Sequence, residues 1–252
     1  MTLSASEFSA LDAHGIVAGL LGQDLFRAVI DRPDLHRAFA PGEVVLRKES
    51  RPGGMFVVIH GTLEMILSNR QGVEHMVRVA KAGDCLGVES VLCDTEAVYE
   101  LRALTRASLL FVPKAEVLAW IDGSPAFSRR LMHLLADDVA DLYEELEGLQ
   151  HRSTIERLAC YLHCGEGRER RGQPLLDEYT IALPYMKLAQ RLGASQPHLS
   201  RAMRNLEDAG MIARHGRRIQ IRDAAAFSRL LCTACQQSLR QQRDKSEARA
   251  VR

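Results

Sequence analysis

A cluster of polar and basic residues in the C-terminal third of the chain has the types and spacing needed to recognise nucleic-acid bases. Glutamine pairs with adenine, and arginine with guanine, through two hydrogen bonds each. Both side chains occur here within six consecutive positions, and hydroxyl and imidazole groups lie between them. The residues predicted to face base edges are Gln196, His198, Ser200 and Arg201.

Two short helices joined by a glycine turn are predicted to position these side chains. The first covers 184–192 with Met186, Ala189 and Leu192 facing inward, and Gly193 supplies the turn. Ser195 is a favourable N-cap, and Pro197 fits the first turn of the second helix. The pattern predicts a helix-turn-helix, whose second helix enters the major groove of DNA. The buried stripe of the second helix is predicted to be Leu199, Ala202, Met203 and Leu206, before a left-handed C-cap at Gly210.

A two-stranded hairpin, or wing, is predicted directly after the second helix. Apolar residues alternate on 211–214 and on 218–222, around a glycine at position 216. Eight basic and two acidic residues lie between Lys187 and Arg222. Basic side chains bind phosphates and fix the register on DNA without reading its sequence. The arginines predicted to do so are Arg204, Arg214, Arg217 and Arg218.

Charge is distributed unevenly along the 252 residues. Residues 1–150 carry 14 Lys/Arg and 22 Asp/Glu, whereas residues 151–222 carry 13 basic and 7 acidic side chains. The second segment would attract a polyanion and the first would repel it. No apolar run reaches the roughly 18 residues that span a bilayer, and the N-terminus lacks signal-peptide features. A cytoplasmic location without membrane contact is therefore expected.

Short apolar segments separated by polar turns characterise residues 39–112. They lie at 44–46, 55–59, 63–67, 76–79 and 101–112, with glycines such as Gly53-Gly54 in the predicted turns. This spacing predicts a small antiparallel barrel or jelly roll, which we assign to residues 1–124.

A long helix with a coiled-coil seam is predicted over 125–151. Apolar residues recur there at spacings of 4, 3, 4 and 3, and the residues between them are mostly acidic. Such a helix favours pairing with a second copy of the chain, although it could also pack on its own domain. Ser153 and Glu156 match a capping box, which predicts a new helix after a hinge near 148–152. The seam residues are Leu135, Val139, Leu142, Leu146 and Leu149.

The predicted fold class is α+β: an antiparallel barrel, a dimerisation helix and hinge, and a winged helix-turn-helix domain over 152–235 with a polar tail at 236–252. Phosphate-loop, His-Glu-x2-His and Gly-x-Ser-x-Gly motifs are missing, so an enzyme is not expected. The alternative function is a ligand-binding or protein-interaction module in which the helix-turn-helix serves only for packing.

This order of domains resembles the CRP/FNR family of bacterial transcription regulators. The resemblance rests on 41–43, 56–61, 83–84 and the segment LGASQPHLSRAMRNLEDAGMI. It implies a homodimer that binds palindromic operator DNA and acts with RNA polymerase, with a sensor domain like those that bind cyclic nucleotides. It further implies that Gln196, Pro197 and Arg201 contact bases and that Ser195 contacts phosphate. The family usually has an acidic residue where Pro197 stands.

The effector pocket implied by the resemblance begins with a phosphate-binding cassette. Family members that bind cyclic nucleotides have an arginine and a serine near its end. Here the corresponding end reads Ala97-Val98-Tyr99-Glu100, and no arginine lies between Lys81 and Arg102. Binding of cyclic AMP is therefore not expected. The start of the cassette, and thus the candidate effector pocket, is Gly87, Val88, Glu89 and Ser90.

Two other sensing modes remain as alternatives. Residues 1–84 contain no cysteine, which excludes the N-terminal iron–sulfur cluster of the family's oxygen sensors. The chain also resembles nitrate-respiration regulators, which implies nitric-oxide sensing through haem. The second mode is thiol redox sensing or zinc binding by the pairs Cys160-x3-Cys164 and Cys232-x2-Cys235, although buried structural thiols are commoner and no metal site is assigned. The candidate haem ligands are His14, His36, His60, His75 and Cys85.

Overall fold

A computed structural model of the chain describes residues 21–22, 25, 29, 32–165, 175–233 and 235–236. The candidate haem ligand His14 and the predicted tail beyond position 236 lie outside these residues. The chain divides into two compact units between Leu142 and Tyr143, within one long helix. None of the helices in the described ranges is both long and apolar enough to cross a membrane.

The first unit contains eight strands, which form two four-stranded antiparallel sheets. One sheet has the order β1-β8-β3-β6 and the other the order β2-β7-β4-β5. The strands β1 and β6 were not predicted from the sequence. The strands are β1 (His36–Phe39), β2 (Val44–Leu46), β3 (Gly54–His60), β4 (Leu63–Ser68), β5 (Glu74–Ala80), β6 (Cys85–Leu86), β7 (Glu100–Ala103) and β8 (Ala107–Pro113).

The core of this unit lies on both faces of β3. Successive side chains of a strand point to opposite faces, so Met55 and Val57 enter one apolar cluster while Phe56 and Val58 enter another. The second cluster also receives Leu63 and other residues of the opposing sheet. Burial on both faces explains why this segment is an unbroken apolar run in the sequence.

The Gly53-Gly54 pair does not form the turn that the sequence predicted. Gly54 is the first residue of β3 and pairs with Pro113 of β8. A Cβ atom at position 54 would collide with the carbonyl oxygen of Val112. The glycine is therefore needed for close approach of two backbones and not for chain reversal.

Within residues 32–151, three α-helices accompany the sheets: α1 (Val88–Cys93), α2 (Lys114–Gly123) and α3 (Pro125–His151), the last of which continues into the second unit. Arg78 of β5 connects the barrel to α3. Its guanidinium donates hydrogen bonds to Asp84 at 3.1 Å and to Asp138 at 2.6 Å. Burial raises the pKa of Asp138 although the positive charge of Arg78 acts in the opposite direction.

The described residues between 154 and 229 form four further helices and a three-stranded antiparallel sheet of order β10-β11-β9. The capping box at Ser153 and Glu156 is confirmed, and 152–153 are not helical. The sequence did not predict β9, which widens the wing. The elements are α4 (Thr154–Cys164), β9 (Glu178–Thr180), α5 (Tyr185–Arg191), α6 (Gln196–Asp208), β10 (Ile212–His215), β11 (Arg218–Ile221) and α7 (Ala224–Arg229). The α+β fold class predicted from the sequence is confirmed.

Candidate nucleic-acid interface

The helix α6 begins and ends as its sequence dictates. The Ser195 hydroxyl accepts a hydrogen bond from the backbone N–H of His198, and Pro197 lies in the first turn, where no intrahelical donor is required. Gly210 has a φ of 69° and follows the last turn. The predicted inward stripe is confirmed, since Leu199, Ala202, Met203 and Leu206 are buried.

The inward face predicted for α5 is confirmed at Ala189 and Leu192 but not at Met186. Leu188, Ala189 and Leu192 are buried, whereas Met186 is 57% exposed. Met186 lies two positions before Leu188, which places it about 200° away around the helix. The prediction that Met186 faces inward was wrong. Both Met186 and Leu188 are apolar and each fits a helical period with the residues that follow, so the sequence did not distinguish the two faces. Gly193, with a φ of 58°, then makes the tight turn into α6.

The four candidate base-reading residues all have exposed side chains on or beside the first two turns of α6. They are Gln196, His198, Ser200 and Arg201. Asn205, four residues after Arg201, is also exposed and extends the same face. Asn205 was not among the predicted base-reading residues, although its i, i+4 spacing from Arg201 would have indicated it.

The candidate phosphate-binding arginines differ in whether they form an ion pair with a carboxylate. Within the described ranges no ion pair involves Arg204 or Arg217, and both are exposed. Arg214 lies 3.5 Å from a carboxylate oxygen of Glu207, and Arg218 lies 3.9 Å from one of Glu178. Surface ion pairs of this kind contribute about 0–1 kcal/mol, so a phosphate could replace either carboxylate at small cost.

The N-terminus of α6 favours an anion. Its exposed N-cap Ser195 carries a hydroxyl, the first turn contains no acidic residue, and a helix N-terminus has partial positive charge. Pro197 has no N–H, which removes one of the backbone donors usually present there. The first turn of α6 can therefore approach a phosphate. Its remaining backbone N–H donors and the Gln196 side chain are the groups available to contact it.

The candidate effector residues lie at the start of α1. Val88 and Ser90 are buried, whereas Glu89 is exposed. The backbone N–H of Gly87 donates a hydrogen bond to the hydroxyl of Tyr99 at 3.0 Å. Burial and the adjacent Glu89 carboxylate raise the pKa of Tyr99. The amide that opens the cassette is thus already bound to a side chain of the same domain.

Four of the candidate haem ligands are described. His36 and Cys85 are buried in the barrel, whereas His60 and His75 are exposed on different sheets. Burial raises the pKa of Cys85, which holds this residue as a neutral thiol, and a thiolate is the form that binds iron. The fold thus distributes these residues among separate environments.

Family models match both units of the chain. The cyclic nucleotide-binding domain matches residues 36–124, and the Crp-like helix-turn-helix domain matches residues 156–230. The chain belongs to the CRP/FNR family of transcription regulators, and the exposed face of α6 belongs to its DNA-binding helix-turn-helix.

Individual proteins agree with this assignment. The HTH-type transcriptional regulator Cmr of Mycobacterium tuberculosis is 29% identical over 68% of this chain and 66% of its own length. The probable transcriptional regulator flp of Lacticaseibacillus casei is 26% identical over 80% and 89%. Among solved structures, FixK2 from Bradyrhizobium japonicum has a TM-score of 0.65 at 16% identity, over 79% of this chain and 97% of that chain. At this identity the structural likeness concerns the fold.

Proposed function

We propose that the protein is a cytoplasmic, homodimeric regulator that inserts α6 into the major groove of a palindromic operator and acts there with RNA polymerase. The observation that carries this proposal is the exposed face of α6, where base-reading and phosphate-binding side chains occur together. Residues 1–124 act as the sensor, 125–151 as the dimerisation helix and 152–235 as the DNA-binding domain.

The apolar seam of α3 supports the homodimer. Leu142 is 65% exposed and Leu146 is 51% exposed, and Val139 and Leu149 are also exposed. Leu135 differs, because it packs partly against the core of the first unit. Exposed leucines at heptad spacing are unfavourable in water and are buried when two such helices pair.

The first test of the interface compares two arginine variants on DNA selected from a random library by the purified protein. Arg201→Ala should weaken binding to the selected site by at least about 30-fold and relax the same base preference in both half-sites, because a homodimer loses one bidentate base contact in each. Arg217→Ala should weaken selected and random DNA alike and reduce the salt slope by about two, because each protomer loses one phosphate contact. Fluorescence anisotropy over a salt series measures both effects.

Arg70→Ala is the matched control for these variants. Arg70 is exposed in the turn between β4 and β5, so the variant changes the net charge equally without touching the second unit. We expect it to bind like the wild type. Equal affinity of the wild type for selected and scrambled DNA would contradict the proposal and favour a packing role for the helix-turn-helix.

The sensor domain, we further propose, does not respond to cyclic AMP. The supporting observations are the Gly87 amide already bonded to Tyr99 and the acidic character of the cassette, where Glu89 is exposed. The nearby Arg102 guanidinium is already bound to Glu74 at 2.9 Å and to Glu100 at 2.6 Å. A phosphate entering there would meet the charge of Glu89, and it would have to compete with two carboxylates for Arg102.

Addition of cyclic AMP should therefore leave the affinity for the selected operator unchanged. The measurement is an anisotropy titration of operator DNA at increasing nucleotide concentration, accompanied by calorimetry for direct binding. Tyr99→Phe is an informative variant, because it frees the Gly87 amide while retaining the ring. A clear change in DNA affinity with the wild type would overturn this part of the proposal.

A further inference from the structure

Four cysteines from two distant segments meet in the second unit. Cys160 and Cys164 are one turn apart on α4, and Cys232 and Cys235 follow α7. The sulfur atoms of Cys160, Cys232 and Cys235 all lie within 4.8 Å of one another. The sulfur of Cys164 lies 3.1 Å from that of Cys235. Two pairs separated by about 70 residues thus form one cluster of four free thiols.

We propose that these four cysteines bind one divalent metal ion of the zinc class. A tetrahedral ion with metal–sulfur bonds of about 2.3 Å holds its ligand sulfurs about 3.8 Å apart. Three of the sulfurs lie within 4.8 Å of one another, and Cys164 reaches this group through Cys235 at 3.1 Å. Rotation of the Cys164 side chain toward Cys160 and Cys232 would complete the tetrahedron. Zinc strongly favours such sites of four thiolates.

The surroundings of the sulfurs suit the negative charge that four thiolates bring. The backbone N–H of Cys232 donates to the sulfur of Cys160 at 3.1 Å, and that of Cys235 donates to the sulfur of Cys232 at 3.4 Å. The Arg152 guanidinium lies 3.8 Å from the sulfur of Cys160. Hydrogen bonds and charges of this kind surround metal-bound cysteines and orient them.

The geometry favours a single ion over the other thiol chemistries. A disulfide would use only two of the four sulfurs, whereas in this cluster sulfurs of both cysteine pairs lie close together. An iron–sulfur cluster would bind the cysteines through different iron atoms and separate their sulfurs more widely. His163 is also near Cys164 and Cys235, and its Nδ1 lies 3.4 Å from the Tyr179 hydroxyl, so it is the competing ligand for the position of Cys164. We assign the four cysteines because two thiol pairs are the ligand set of closed four-thiolate zinc sites.

A bound ion would attach the segment after α7 to α4, and α4 packs against α6. Metal loading should therefore stabilise the domain that carries the proposed recognition helix. This role concerns the stability of the domain and does not depend on whether α6 reads DNA.

The test is a titration of the full-length, fully reduced and metal-stripped protein with Co²⁺. We expect the d–d and charge-transfer absorption of tetrahedral cobalt thiolate, saturating at one ion per chain and abolished by Zn²⁺. Elemental analysis of protein isolated without chelators should give one zinc per chain, and zinc should raise the melting temperature. Cys164→Ser and Cys232→Ser should lose the cobalt–thiolate spectrum or change it to one with fewer sulfur ligands.

Cys93→Ser is the control, because this exposed thiol lies at the end of α1 in the first unit. It should bind Co²⁺ like the wild type. A reduced wild type that is folded by circular dichroism but gives no cobalt–thiolate absorption would overturn the proposal, whatever the variants do. Isolation of the native protein with a disulfide in the cluster and no metal, or with an iron–sulfur spectrum, would overturn it as well.

Discussion

Replacing Leu142 and Leu146 together with glutamate should give a folded monomer that binds the selected operator about a thousand-fold more weakly. Both leucines are exposed in the single chain, so their replacement leaves its core intact. In a paired seam each buried leucine contributes about 1.5–3 kcal/mol, and a charged side chain there is costly. A monomer contacts one half-site, and losing the other removes most of the margin over random DNA. Sedimentation velocity and anisotropy measure the two effects.

Leu92→Glu is the matched control for the seam. Leu92 is a leucine on α1 and is also exposed, but it lies outside α3. This variant should remain a dimer with unchanged operator affinity. The seam assignment would be wrong if the Leu142→Glu/Leu146→Glu protein still sedimented as a dimer. The dimer itself would be refuted by a wild type that is monomeric at the concentrations where it binds DNA.

Gly193→Ala is expected to destabilise the second unit by about 1–3 kcal/mol. The backbone at this turn has a φ of 58°, which disfavours any residue with a Cβ atom. The added Cβ would also lie 2.8 Å from a methyl carbon of Leu149, so the half-exposed end of this side chain would have to shift, which adds a smaller cost to the backbone strain. Because this turn sets the approach of α5 to α6, operator affinity should fall along with the free energy of unfolding, measured by urea denaturation.

Gly210→Ala separates the two causes. Gly210 has a φ of 69°, and no atom lies within 4 Å of a Cβ built there. Its replacement should therefore carry only the backbone strain, about 1–2 kcal/mol. Adding Leu149→Ala should reduce the effect of Gly193→Ala toward this value. If the two glycine variants were equally unstable, the contact with Leu149 would have no energetic role.

Local patterns were sufficient to predict much of the candidate interface. The N-cap at Ser195, the stripe of α6 and the left-handed Gly210 all depend on residues close in sequence, and all are confirmed. The capping box at Ser153 belongs to the same class. The antiparallel sheets were predicted because alternating apolar segments and polar turns are also local signals.

Features that depend on distant contacts could not be predicted in this way. The strand β9 owes its conformation to pairing with β11, and the two-residue β6 exists through its pairing with β3. The two cysteine pairs are close because α7 brings the chain back to α4, a contact for which neither spacing carries a signal. Gly54 likewise depends on the backbone of Val112, which lies on another strand.

Pro197, in the first turn of α6, has a consequence for the information content of the operator. The proline ring can neither accept nor donate a hydrogen bond. In the proposed complex, position 197 therefore does not select the base pair that the family's usual acidic residue would select. In an alignment of selected operators, we expect one column of each half-site to be nearly uniform in base frequency. Such an operator would specify fewer bits per half-site, and the number of matching sites in a genome would rise accordingly.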